Sequence, residues 1–147
     1  MFEKLKKGFT LVELMIVISI LGLLTTVGLS AYMLTQKTAR DSKRQSDLES
    51  IRQALEIYRT ENGTYSSAGV SNWTDVSSLN THLVDGGYID RLPSDPKTSN
   101  PSYRYKATDL SSSNYYGYCL AAKVEKTESE QASCIGEAGY NYTVKNP

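Results

Sequence analysis

Apolar residues dominate the first part of this chain of 147 residues after a short basic start. Residues 14–34 contain no charged side chain. A helix of about 20 apolar residues is long enough to span the hydrocarbon core of a bilayer. Basic residues favour the cytoplasmic side, and three precede the run: Lys4, Lys6 and Lys7. The pattern therefore predicts one membrane-spanning helix with its N-terminus inside the cell.

The helical pattern continues past the apolar run but becomes amphipathic between residues 35 and 62. An apolar stripe recurs there at helical spacing, formed by Leu48, Ile51, Leu55 and Tyr58. We expect this stripe to pack on a globular head and Arg52 to pair with Glu56 on the surface. Asn62 and Gly63 then end the helix.

Residues 63–147 have the pattern of a small mixed domain. A short helix is expected to begin at Thr74 or Asp75, since either residue is a suitable N-cap. Three strands are predicted at Tyr103–Ala107, Tyr116–Val124 and Tyr140–Val144, with a turn-rich link over residues 109–114. Short connections favour antiparallel pairing. The expected fold class is α+β, with the sheet lying over the apolar stripe of the helix.

Glu13 is anomalous because it lies at the start of the apolar helix. A carboxylate within a membrane helix costs about 2.5–3.5 kcal/mol on insertion scales. A charge at that cost suggests a specific partner, although a side chain that reaches the membrane interface is the simpler alternative.

The residues around Glu13 carry a family resemblance. Lys6-Lys7-Gly8-Phe9-Thr10-Leu11-Val12-Glu13 resembles the processing site of type IV prepilins and pseudopilins. The resemblance implies that a prepilin peptidase cuts after Gly8 and methylates the new N-terminus at Phe9. It also implies that Glu13 helps a subunit to dock into a filament by pairing with the Phe9 amine of a neighbour.

A second stretch resembles the major pseudopilins of type II secretion. A short helix leads through Gly87-Tyr88 to Leu92-Pro93-Ser94-Asp95-Pro96, followed by the tyrosine-rich strand that begins Tyr103-Arg104-Tyr105. Lys97 and Thr98 stand where that family often has tryptophan and glycine. The acidic loops of the family imply calcium as a possible cofactor, with three weak candidate ligands: Asp90, Asp95 and Asp109.

Together these features predict a lollipop-shaped structural subunit of a type IV pilus-like or type II secretion pseudopilus filament. Its parts are a leader (1–8), a transmembrane and filament-core helix (9–34), an amphipathic half-helix (35–62) and a globular head (63–147). The implied partners are other copies or related pilins, a prepilin peptidase, a membrane assembly platform with its motor, and the lipid bilayer. The head would lie outside the cytoplasmic membrane, and the assembled filament would be periplasmic or on the cell surface.

Two glycines within the apolar run allow two interpretations. Gly22 and Gly28 either let neighbouring helices approach closely or mark a segment that extends locally in a filament. The sequence favours neither.

The two cysteines, Cys119 and Cys134, predict a disulfide if the head is exported to an oxidising compartment, with a pair of free thiols as the alternative.

We expect no enzymatic activity, because His82 is the only histidine and no nucleophile or phosphate-loop motif is present. Removing Glu3 and the three leader lysines leaves 13 basic and 15 acidic side chains, so nucleic acid is not expected as a bulk partner.

Three other interpretations remain open. An exported soluble protein would be cleaved near Ser30, since Gly28-Leu29-Ser30 offers a signal-peptidase site. A binding module on a permanent single-pass anchor would keep its leader. A DNA-uptake pilin would bind DNA through the basic residues Arg91, Lys97, Arg104 and Lys106.

Overall fold

The computed structural model describes residues 8–69, 72–99, 102–126, 134 and 139–147. A helix, α1, runs from Leu11 to Asn62 without a break. The chain divides within α1 into two compact units, which meet between Gln36 and Lys37 in the sequence.

The first unit consists of the apolar half of α1. Its large apolar side chains are half or more exposed, from Val17 at 51% to Phe9 at 94%. Its hydroxyls bond within the same helix, as when Thr25 donates to the carbonyl of Leu21. The serine and threonine hydroxyls of this unit are therefore hydrogen-bonded within α1, whereas its large apolar side chains are not buried by any part of the chain that the structure describes.

The second unit combines the rest of α1 with an antiparallel sheet of order β1-β2-β3-β4. The strands are β1 (Thr74–Asp75), β2 (Arg104–Ser111), β3 (Asn114–Ala122) and β4 (Tyr142–Lys145). A 3₁₀ turn (Val76–Leu79) and a π turn (Asn80–Val84) follow β1. The expected α+β class is confirmed.

The apolar stripe of α1 forms the centre of the core. Leu48, Ile51 and Leu55 are fully buried, and Tyr58 is partly buried against the same cluster. The sheet contributes alternate residues from β2 and β3, including Tyr105 and Tyr118. The stripe read from helical spacing is therefore confirmed as the face that packs on the head.

Of two local expectations, one was wrong. The predicted link over residues 109–114 is strand, because β2 continues to Ser111 and the hairpin turn consists only of Ser112 and Ser113. Both turn residues have positive φ, at 50° and 70°, which matches the right-handed twist of a tight hairpin. The prediction that Thr74 or Asp75 caps a short helix is confirmed for Asp75, which accepts from the Ser77 N–H at the start of the 3₁₀ turn.

Candidate functional site

The start of α1 is closed by a reciprocal pair of side chains. The Thr10 N–H and hydroxyl both donate to Glu13 Oε2 at 3.0 Å, and the Glu13 N–H donates to Thr10 Oγ1 at 3.2 Å. This is a capping box, in which the N-cap and the third helical residue each satisfy the other's backbone N–H. Glu13 therefore has a partner within its own chain.

The capping box could have been predicted from the sequence. Thr10-Leu11-Val12-Glu13 matches the Thr-x-x-Glu pattern that precedes an apolar helix. An interpretation of Glu13 from the cost of a charge in the membrane does not reveal this signal. The pairing of Glu13 with a neighbour's amine remains a prediction.

Gly8 and Phe9 lie outside any helix or strand, just before the capping box. Phe9 is 94% exposed. A Cβ added to Gly8 would meet no atom within 4 Å, and its φ is not in the left-handed region. The described part of the chain therefore places no demand for glycine at this position.

By length and composition, α1 is apolar enough near its N-terminus to cross a membrane. Added Cβ atoms on Gly22 and Gly28 would also meet nothing within 4 Å. Neither interpretation of these glycines is tested by a single copy of the chain.

A buried cluster of charges ties α1 to the head. Arg44 is fully buried and donates to both oxygens of Asp95, at 2.7 and 3.0 Å, in a bidentate pair. It also donates to Asp41 at 2.6 Å and to Glu125 at 3.3 Å. Arg40 completes the group by donating to both oxygens of Glu125 at 2.7 and 2.9 Å. These five residues are called the Arg44 cluster below.

The Arg44 cluster also fixes the backbone that follows β3. Asp41 accepts the N–H groups of Glu125 and Lys126, at 2.9 and 3.0 Å. Hydrogen bonds from Arg40, and secondarily from Arg44, lower the pKa of Glu125 to about 2. The hydrogen bond with Asp95 raises the pKa of Arg44 above its usual value. The sequence could not predict this cluster, because Asp95 and Glu125 are 51 and 81 residues from Arg44.

Carboxylates of α1 accept hydrogen bonds from tyrosines of the head. The Tyr103 hydroxyl donates to Asp47 at 2.7 Å. Glu56 accepts from Tyr65 at 2.9 Å and from Tyr118 at 3.1 Å, and burial raises the pKa of both phenols. The expected Arg52–Glu56 pair is therefore wrong.

Arg52 instead donates to Glu49, three residues earlier in α1, at 2.7 and 2.8 Å. The tyrosines compete successfully for Glu56 because the fold places them against this face of α1.

The calcium candidates do not converge. Asp95 is occupied by Arg44, and its Oδ1 also accepts the Lys97 N–H at 2.8 Å. Asp109 folds over Gly117 on β3, where an added Cβ would collide with its Oδ2. Among the described residues no group of three or more acidic, histidine or cysteine side chains is placed to hold a metal ion. Calcium therefore gains no support.

The two cysteines are joined in the structure. Cys119 on β3 forms a disulfide with Cys134, fifteen residues later.

Arg104 is one of the four basic residues through which a DNA-uptake pilin would bind DNA. Its side chain donates to the Trp73 carbonyl at 3.0 Å.

Comparisons with known proteins identify two matching family models. The prokaryotic N-terminal methylation motif matches residues 4–29, and the type II secretion system protein G family matches residues 31–136. No solved structure gives a significant match.

Curated relatives agree with the family models. The type II secretion system core protein G of Klebsiella pneumoniae is 36% identical over 62% of this chain and 69% of its own length. That of Aeromonas hydrophila is 34% identical over 65% and 71%. That of Pseudomonas aeruginosa is 31% identical over 73% and 78%. The chain therefore belongs to the type II secretion system protein G family, and it is a pseudopilin, a structural subunit rather than an enzyme.

Proposed function

We propose that this pseudopilin is made as a precursor, cut between Gly8 and Phe9 by a prepilin peptidase, and methylated at Phe9. The observation that carries the proposal is the match of residues 4–29, which include Gly8, Phe9 and Glu13, to the prokaryotic N-terminal methylation motif. In the part of the chain that the structure describes, a Cβ added to Gly8 would meet no atom within 4 Å, so packing does not account for the glycine. A peptidase that must bring the Gly8 backbone close to its own groups would supply the missing reason for glycine.

The apolar half of α1 then anchors the subunit in the cytoplasmic membrane, with the head on the extracytoplasmic side. Its apolar side chains are half or more exposed in the single chain, so lipid or sister helices must cover them. An assembly platform with its motor extracts the subunit, and burial against other copies replaces burial in lipid. The product is a filament within the type II secretion machinery.

Glu13 sets the register of docking by pairing with the methylated Phe9 amine of a neighbour. In the isolated subunit the same carboxylate is held by Thr10. A charge pair buried in an apolar helix bundle brings specificity of alignment more reliably than net stability.

Two substitutions of Glu13 separate its two roles. Glutamine closes a capping box as glutamate does, but it carries no charge for an amine. Glu13→Gln is therefore expected to insert and be processed normally, yet to assemble as poorly as Glu13→Ala. Sheared or cross-linked filaments, quantified by immunoblot, measure the outcome. Wild-type filament yield from Glu13→Gln would rule out the ionic pairing.

The cleavage site is tested by mass spectrometry of the mature protein. We expect an N-terminus of methylated Phe9 in the wild type and accumulation of precursor in Gly8→Ala. Gly22→Ala is the matched control, because an added Cβ there also meets nothing within 4 Å and it should be processed fully. A mature N-terminus near Ser30, or a retained leader, would instead indicate a signal peptide or a permanent anchor.

A further inference from the structure

We propose that the Cys119–Cys134 disulfide is formed and opened through Cys119, which is the sulfur that exchanges with an external dithiol oxidoreductase. The proposal concerns the sheet of the head and does not depend on the processing or assembly steps proposed above.

Cys119 lies between two lysines in the sheet. Its register partners are Lys106 on β2 and Lys145 on β4. Directly opposed residues in antiparallel strands share a face, with Cβ atoms about 4.5–5.5 Å apart. Neighbouring ammonium groups stabilise a thiolate and lower the pKa of a cysteine from about 8.5. In the reduced protein, Cys119 therefore has a cationic neighbour on each side.

The other charges on this face leave that balance positive. Arg104 is a diagonal neighbour on β2, but its charge is offset by Asp75, its register partner on β1. The Asp109 carboxylate lies over Gly117, two residues before Cys119, and its negative charge opposes the positive charge of the lysines. Of the described sheet residues, both direct register partners of Cys119 are thus lysines, and Asp109 is a carboxylate that opposes them.

Cys134 has the opposite environment. Its Sγ lies 3.8 Å from the carbonyl oxygen of Val144, and its N–H donates to Thr143 Oγ1 at 3.4 Å. A carbonyl oxygen accepts a hydrogen bond from a thiol but repels a thiolate. The two cysteines are buried to a similar degree, 8% and 9% exposed, so the charges around them rather than their burial distinguish them.

The exchange proceeds in two steps. The Cys119 thiolate attacks one sulfur of the oxidant's disulfide, forming a mixed disulfide and releasing the oxidant's other sulfur as a thiolate. Cys134 then loses its proton to solvent and attacks Cys119 Sγ, which closes the native bond and releases the oxidant's first sulfur. Two electrons pass to the oxidant and two protons leave the cysteines. Reduction runs in reverse: a thiolate of the external dithiol attacks Cys119 Sγ, and Cys134 leaves as a thiolate that takes up a proton. The second thiolate of the dithiol then attacks its partner sulfur in the mixed disulfide and releases Cys119.

The first experiment measures thiol pKa values in the full chain in detergent. Cys134→Ser leaves Cys119 free, and Cys119→Ser leaves Cys134 free; alkylation by iodoacetamide is followed against pH. We expect a pKa about one unit below 8.5 for Cys119 and at or above 8.5 for Cys134. Lys106→Gln and Lys145→Gln should each raise the pKa of Cys119, whereas Lys37→Gln, which removes the same charge outside the sheet, should not. A pKa of Cys119 that is ordinary or insensitive to both sheet lysines would overturn the proposal.

The second experiment uses the reduced wild-type chain, so that no cysteine is replaced. It is exposed briefly to oxidised glutathione at pH 7 and quenched with acid, and the mixed disulfides are located by mass spectrometry. A pKa lower by one unit gives about eightfold more thiolate, which the lower nucleophilicity reduces to about a threefold excess of glutathione on Cys119. Concentrated urea should abolish the preference. Equal labelling in the folded chain, or a preference that survives urea, would contradict the role of the sheet.

Discussion

The first unit, with the apolar half of α1, and the second unit, with the head, differ in how their polar groups are hydrogen-bonded and their apolar side chains are buried. In the first unit hydroxyls bond to carbonyls four residues earlier, and large apolar side chains remain half or more exposed. In the second, Arg44 bonds to residues 51 and 81 positions away, and a core of aliphatic and tyrosine side chains is buried. Substitutions in the head should therefore change the stability of a single subunit. Substitutions in the apolar half should act only where lipid or another copy covers it.

Arg44→Met is expected to cause the largest loss in the free energy of unfolding. It leaves Asp41, Asp95 and Glu125 without their shared cation, and breaking a buried ion pair costs about 3–5 kcal/mol. Urea unfolding of the full chain in detergent, followed by the fluorescence of Trp73, measures the loss. Leu23→Ala is the control in the other unit, since Leu23 is 71% exposed and its truncation should leave the head unchanged. Equal losses in the two variants would erase the distinction between the units.

Removal of the disulfide should have the next largest effect. Closing a loop of about 15 residues stabilises a fold by about 3 kcal/mol in the chain-entropy model. Cys119→Ala combined with Cys134→Ala is expected to lower the free energy of unfolding of the head by that order. Addition of a reductant should bring the wild type to the level of the double variant. A wild-type midpoint that does not respond to reductant would show that the loop is held by other contacts.

Acid should weaken the head through Glu125. Because its pKa is lowered to about 2 from 4.5, its stabilising contribution is complete above pH 4.5 and is lost as the pH falls towards 2. Glu125→Gln removes this titration, so its free energy of unfolding should fall less than that of the wild type over the same interval. Urea midpoints measured between pH 6 and pH 2.5 provide the test. Parallel curves for both proteins would assign the acid sensitivity to other carboxylates.

The smallest effect is expected from Arg52→Gln. The Arg52–Glu49 pair lies on the surface of α1 with both side chains about one-third to one-half exposed. Pairs of this kind contribute about 0.3–0.5 kcal/mol on a helix. The shift in the urea midpoint should be small and should shrink further at high salt. A loss as large as that of Arg44→Met would mean that surface charge, not the buried cluster, stabilises the head.

Elements with strong local periodicity could be predicted from the sequence, and features that depend on distant residues could not. The burial of Leu48, Ile51 and Leu55 follows from helical spacing alone. In contrast, β1 has only two residues, too few to give a pattern, and it exists because Thr74 pairs with Tyr105.

The same limit applies to side-chain pairing in the head. Glu56 and Arg52 have the spacing of a helical ion pair, yet the fold brings Tyr65 and Tyr118 to Glu56. The candidate site at the N-terminus is the reverse case. Its capping box follows from a local pattern of four residues, although the cost of a charge in a membrane helix draws attention to a partner molecule instead.

The capping box has one further consequence for the life of the subunit. Since Thr10 already donates two hydrogen bonds to Glu13 Oε2, the amine of the proposed pairing would meet a carboxylate that is already hydrogen-bonded rather than a bare charge. A subunit that leaves the filament would keep these bonds within its own chain, so its carboxylate would not enter lipid without a partner.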